Sequence, residues 1–221
     1  MKTIQIFGDS VLKGVMYDEA AQKYKLCKDK IQVPGLDVRN NSKMGATITD
    51  GLHMIEKRLD ECGPDTLAVI ELGGNDCNYR WNEISARPDD HHECAVEPGP
   101  FTRQLKTAVH TLQKTGATVA LCSLVPLYAP KFMNWISRGL SYENILHWLG
   151  DVDHLFRWQD HYSALVVETA NQTGCRVLDL RGSFLQQGYG EWLCADGIHP
   201  TQTGHEKIHH TLQALLTQAG A

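Results

Sequence analysis

The sequence predicts an α/β domain built on a parallel sheet of about five strands, and three observations carry that expectation. Three short apolar runs, residues 3–7, 66–72 and 117–125, have the length and β-branched content of strands buried on both faces. Between them lie longer segments whose apolar residues recur every three or four positions, the period of a helix packed along one stripe. Strands alternating with helices are what right-handed crossover units produce. At 221 residues, with no internal repeat, the chain reads as one domain over 1–221.

Taken in order, Thr3 to Phe7 is the first strand, and it runs into Gly8, Asp9 and Ser10. Val11 to Gln22 reads as helix or turn, and Tyr24 to Pro34 shows no clear period. Leu36 to Arg39 is a short strand. Thr47 then caps a helix with Ile48, Leu52, Ile55 and Leu59 on one face, ended by Cys62-Gly63-Pro64. Thr66 to Leu72 is a central strand leading into Gly73 and Gly74. Residues 80–99 are polar, carry two prolines and the run Asp89-Asp90-His91-His92, and read as a surface loop. Pro100 to Gly116 is a helix with Phe101, Leu105, Val109 and Leu112 facing inward. Ala117 to Val125 is the next strand, broken by Pro126. Residues 126–158 hold Tyr128, Phe132, Trp135, Tyr142, Trp148, Phe156 and Trp158, and read as an aromatic cap beside the sheet edge. A helix from Trp158 to Thr173, with Tyr162, Leu165, Val166 and Thr169 inward, a last strand from Cys175 to Leu180 and a last helix from Thr201 to Leu216 complete the chain.

Composition narrows the function classes. A formal net charge of -5 supplies no basic field for a polyanion, which argues against nucleic acid as a partner. No window approaches 18 uninterrupted apolar residues, so no membrane span is expected. The N-terminal run meets the first strand without an apolar leader. Seven cysteines, an odd number without C-x-x-C spacing, read as reduced thiols, and a cytoplasmic location is the expectation unless the chain is a processed secreted form.

The chemistry-bearing residues fall at the ends of successive strands: Ser10, Gly45, Asn75, and Asp196 with His199. In a doubly wound sheet those ends share one edge, where ligands bind. A serine hydroxyl needs a neighbouring imidazole to remove its proton, which assigns Ser10 and His199. The imidazole needs an acceptor on its other nitrogen, which Asp196 supplies from three residues away. A tetrahedral intermediate needs donors aimed at its oxyanion. The N–H groups of Ser10 and Gly45 and the Asn75 amide supply three, each worth roughly 3 to 4 kcal/mol in comparable sites.

Gly8-Asp9-Ser10, Gly45 within the N-x-S-x-x-G run at 40–45, Gly73-Gly74-Asn75-Asp76, and Asp196-Gly197-Ile198-His199-Pro200 resemble, in order, the four blocks of the SGNH hydrolases, the GDSL-type esterases and lipases. The resemblance implies Ser10 as nucleophile, Gly45 and Asn75 as oxyanion donors, and Asp196 with His199 completing a triad. It also implies a flavodoxin-like three-layer α/β/α sandwich with strand order 2-1-3-4-5. The first block carries Val11 where the family name has leucine, and the second carries Ser42 where many members have glycine.

Asp76 and Asp9 read as structural and orienting groups beside the site. His91 with His92 reads as part of a solvated loop, and His209 with His210 as lying on different faces of the last helix, so no metal is assigned. Trp81, Trp135 and Trp148 are the candidate substrate wall. The activity expected is cofactor-independent hydrolysis of a short-chain ester, such as an O-acetyl group on a carbohydrate or small metabolite. A lipase, lysophospholipase or thioesterase is the alternative, and a non-catalytic binding module would require a missing triad member. The oligomeric state is left open.

Overall fold

The computed structural model describes residues 1–185 and 188–217. Strand β1 (Thr3–Gly8) leads into a short helix α1 (Ser10–Lys13), whose last turn is closed by Gly14 in the left-handed region. The chain then makes a hairpin, β2 (Val15–Asp18) and β3 (Lys23–Leu26), before β4 (Asp37–Asn40), α2 (Ile48–Glu56) and β5 (Thr66–Glu71). Helices α3 (Trp81–Ala86) and α4 (Pro98–Gln113) precede β6 (Thr118–Cys122). Then come α5 (Ala129–Ile136), α6 (Tyr142–Leu149), α7 (His154–Thr173), β7 (Arg176–Leu178), α8 (Leu180–Phe184) and α9 (Gln202–Thr217).

One sheet of five parallel strands, in the order β4-β1-β5-β6-β7, forms the middle layer. Counted among themselves these strands run 2-1-3-4-5, and the interposed hairpin accounts for the higher labels. Because a strand turns alternate side chains to opposite faces, β1 and β5 feed two cores. Phe7, Ala68 and Ile70 join Ile55 of α2, Phe101 of α4 and Tyr162 of α7 on one side. Ile4, Ile6, Leu67 and Val69 join Phe184 of α8 and Ile208 and Leu212 of α9 on the other. Each such large side chain, fully buried, stabilises the fold by about 1.5–3 kcal/mol.

Three segments depart from the sequence reading. Residues 15–18 form a strand rather than helix, because Val15 and Tyr17 are buried while Met16 and Asp18 are half-buried, a two-residue period that four residues hardly display. Within residues 80–99, Trp81–Ala86 is a helix, fastened by the fully buried Ile84; two turns are too short to establish a helical period. The apolar face that begins at Ile48 also stops early as helix: α2 ends at Glu56, and Leu59 packs on the core from a 3₁₀ turn.

The 126–158 segment folds as α5 and α6 and packs with α3 and the start of α7. Ile84, Leu127, Phe132, Met133, Ile145, Leu149 and Leu155 make a third apolar cluster there, separate from the two sheet cores. No helix among the described residues is long and apolar enough to cross a membrane.

Candidate active site

Strand β1 ends at Gly8, and Asp9 caps α1 by accepting the Val11 N–H at 2.8 Å. That turn places Ser10 as the first helical residue, 7% exposed, with an N–H that has no acceptor within the helix. Asp196 and His199 sit on the loop before α9. The loop is closed by the antiparallel bridge of Leu193 with Pro200 and by the Cys194 N–H donating to His199 O at 2.8 Å. Lys131 of α5 donates to Gly190 O and Leu193 O, each at 2.8 Å, and holds the loop against the cap.

Gly197 makes the turn between the two residues. Its φ is +73°, and a Cβ there would meet the Phe132 N at 2.5 Å and the Tyr128 O at 2.8 Å, so glycine is required by both conformation and space. The Asp196 carboxylate accepts from Ile198 N at 3.1 Å, His199 N at 3.0 Å and His199 Nδ1 at 2.7 Å. His199 Nε2 lies 2.9 Å from Ser10 Oγ. Burial alone would raise the fully buried Asp196 carboxyl, but hydrogen bonds and charge from His199 outweigh it and hold the group below the usual carboxylate range. With Asp196 ionised, Nδ1 carries the proton and Nε2 is left to accept from Ser10. This arrangement can draw a proton off a hydroxyl that is almost closed to solvent.

Gly45 is exposed, at φ +75°, and its N–H donates to nothing among the described residues. Asn75 is held more firmly than the sequence reading expects. Its Nδ2 donates to Asp9 Oδ2 at 3.1 Å and to Ala46 O at 3.0 Å, so both amide protons are engaged. Asp9 is in turn paired with Glu71 at the end of β5. Both are buried, and burial followed by the charge of Asp9 pushes Glu71 well above the ordinary carboxylate range. Asp76 behaves as the sequence suggests: it accepts the Ile48 N–H at the start of α2 at 2.9 Å, and burial pushes its carboxyl up to about 7.

Ser10 and His199 open into a cavity of about 80 Å³. Its walls are Leu124, Val125 and Leu127 after β6, Phe132, Leu149, Leu155 and Trp158 from the cap helices, and Tyr79 with Trp81. Of the three tryptophans read as a substrate wall, Trp81 lines this cavity. Trp135 and Trp148 do not: Trp135 packs edge-on against Tyr17 at 4.7 Å beneath the Arg138 guanidinium, and Trp148 packs against Tyr79 at 4.8 Å. The cap helices turn the neighbouring Phe132 and Leu149 inward instead. Trp158, read as core, lines the cavity while its indole N–H donates to Cys77 O at 2.9 Å.

A second, polar groove flanks Gly45 and Asn75 and is lined by Asn78, Arg80, Glu83, Arg87, His91 and His92. Sequence reasoning missed Tyr24, which β3 lays against the His199 ring at 5.0 Å; burial pushes its phenol up to about 12. Only alternation of Tyr24 with Lys23 and Lys25 hinted at a strand there.

The sequence matches the GDSL-like lipase/acylhydrolase family over residues 6–207. No protein of curated function matches it. Among solved structures, the chain is similar to a lipase/acylhydrolase from Enterococcus faecalis, at 18% identity and a TM-score of 0.62 over 99% of this chain and 97% of that one. It is similar to a member of the lipolytic G-D-S-L family from Veillonella parvula, at 14% identity and TM-score 0.64 over 98% and 99% of the two chains. A catalytic mutant of an acetylxylan esterase from Geobacillus stearothermophilus superposes at TM-score 0.63 and 18% identity over 96% and 93%.

Proposed function

Because the chain belongs to the GDSL-like lipase/acylhydrolase family, we propose that it is a serine esterase that removes a short acyl group through an acyl-enzyme intermediate. The observation that carries this reading is the relay from Asp196 through His199 to Ser10 at the mouth of a small apolar cavity.

In the first half-reaction His199 Nε2 takes the Ser10 proton as Oγ attacks the ester carbonyl, and the imidazolium forms beside the Asp196 carboxylate. The free N–H groups of Ser10 and Gly45 stabilise the oxyanion. Asn75 contributes the amide N–H that it donates to Asp9 Oδ2 at rest, a bond that bifurcates toward the oxyanion as negative charge develops there. His199 then protonates the leaving alcohol, and water, activated by the same imidazole, hydrolyses the acyl-enzyme. We assign the oxyanion site to Ser10, Gly45 and Asn75 on that basis.

The cavity volume supports a short acyl group. An engineered apolar cavity of about 150 Å³ takes benzene, whereas this one measures about 80 Å³, which suits two to four carbons. The groove with arginine, glutamate and histidine side chains on the opposite side of Asn75 suits a polyhydroxylated alcohol. An O-acetylated carbohydrate fits both, and a structural neighbour is described as an acetylxylan esterase. The apolar walls also favour an acyl chain of a lipid, the second reading, which the volume opposes.

Hydrolysis of p-nitrophenyl esters from acetate to palmitate, followed by acetylated oligosaccharides, tests the proposal. Rates should peak at acetate and butyrate, and Ser10→Ala should lose about ten-thousandfold or more in kcat. Rates that climb with chain length would favour the lipid reading, and an unaffected Ser10→Ala variant would refute Ser10 as nucleophile.

A further inference from the structure

Outside the relay, Cys27, His205 and His209 converge: one ligating atom from each lies within 4.8 Å of the other two. The sequence reading paired His209 with its neighbour His210, whereas the cluster pairs it with His205, one turn earlier on α9. Residues four apart project from the same side of a helix, and the two rings stand 6.2 Å apart. Cys27 follows β3 directly, and its N–H donates to Gly14 O at 2.7 Å, so the thiol sits where the hairpin rejoins the body of the protein.

His205 has the wiring of a ligand. It is fully buried, and its Nε2 lies 2.9 Å from Val15 O. A carbonyl only accepts, so Nε2 carries the proton and Nδ1 is a bare lone pair, buried and without a partner among the described residues. Histidines that bind metal characteristically donate their other ring N–H to a carbonyl or carboxylate in this way. Cys27 carries a free thiol whose S–H donates to Asp29 O at 3.1 Å, and the Asp29 carboxylate adds negative charge near His209.

We propose that Cys27, His205 and His209 bind a zinc-class transition-metal ion that clasps the β2–β3 hairpin to α9. One thiolate and two imidazoles match the soft and borderline donors that select zinc over magnesium or calcium. Water completes a tetrahedral shell. Ligand atoms about 2.0–2.3 Å from one ion stand roughly 3.5 Å apart, so the half-buried Cys27 and His209 side chains draw in slightly on binding. The Cys27 S–H bond breaks, its electron pair goes to the ion, its proton leaves to solvent, and no group is oxidised or reduced. The ion touches none of the reacting atoms. Its effect on the site runs through the hairpin, which carries Tyr24 against His199.

The test is titration of the chelator-stripped full chain with zinc by calorimetry, and with cobalt(II) by absorption. Wild type and Ser10→Ala should each bind one equivalent with proton release, and cobalt should give a thiolate charge-transfer band with tetrahedral d–d bands. Cys27→Ser and His209→Gln should each lose roughly tenfold or more in affinity, with circular dichroism and metal-free melting confirming that they fold. No binding by wild type, no thiolate band, or full binding retained by both variants, which would put the ion on residues such as His91 and His92, would overturn the proposal. Because Ser10→Ala is inactive as an esterase under the reading above yet keeps the metal, failure of either proposal is distinguishable from failure of the other.

Discussion

Replacing Asp196 with asparagine perturbs the relay by one atom and no volume. The new Oδ1 still accepts from Ile198 N and His199 N, at 3.1 and 3.0 Å in the native turn, so the loop keeps its shape. What changes is the atom 2.7 Å from His199 Nδ1, where an amide NH₂ now stands in place of a carboxylate oxygen. Two donors cannot face each other, so Nδ1 must give up its proton and accept. The imidazole proton moves to Nε2, which then points a donor, not a lone pair, at Ser10 Oγ 2.9 Å away. The base is lost although every heavy atom stays in place. In a triad with the same wiring that tautomer switch lowers kcat about 10⁴-fold, which corresponds to about 5 kcal/mol of barrier. The assay is kcat on p-nitrophenyl acetate alongside circular dichroism and a thermal melt. A native-like Asp196→Asn variant that loses less than tenfold in kcat would refute the assignment of His199 as a base oriented by Asp196.

Other expectations follow from the same geometry. Asp76 has a folded-state pKa of about 7 against 3.8 unfolded, so its contribution is fully present below about pH 4 and is lost as pH rises through about 7. The stability of wild type relative to Asp76→Asn should therefore decline between about pH 4 and pH 7, measured by urea unfolding, and a pH-independent difference would place the proton elsewhere. Gly197→Ala adds a Cβ against the Phe132 N and Tyr128 O at a left-handed φ. A cost of about 2 kcal/mol should lower Tm by roughly 4–8 °C, and an unchanged melt would show that the turn relaxes freely. Leu149→Ala enlarges the cavity from the cap side and should shift the preferred acyl group toward longer chains, read from the ratio of kcat/KM on hexanoate to acetate.

The parallel sheet, the main helices and the residues of the relay were legible in the sequence for a physical reason. Thr66 to Leu72 is apolar at nearly every position because both its faces are covered, and such a run has few alternatives to a central strand. Ser10 and Asn75 were legible because they follow strand ends that meet at one edge in this topology, whereas Asp196 and His199 lie past β7 and α8, on the loop before α9, and were legible from the D-G-I-H-P run rather than from a strand end. The β2–β3 hairpin, by contrast, is made of two four-residue strands, half-exposed and rich in lysine, and only its docking places Tyr24 beside His199. The same limit applies to the aromatic cap. Spacing located tryptophans near the site, but which side of α5 and α6 faces the cavity is fixed by how those helices pack on Ile84 and Leu127, and they turn in Phe132 and Leu149 while Trp135 and Trp148 face other partners. The sequence by itself determined the fold class, through local period and chain order, and named the residues of the proposed relay, through short motifs at fixed positions. The tertiary structure alone decided the walls of the cavity, the engagement of Asn75 by Asp9, and the meeting of Cys27 with His205 and His209, because each depends on packing between segments that no local pattern encodes.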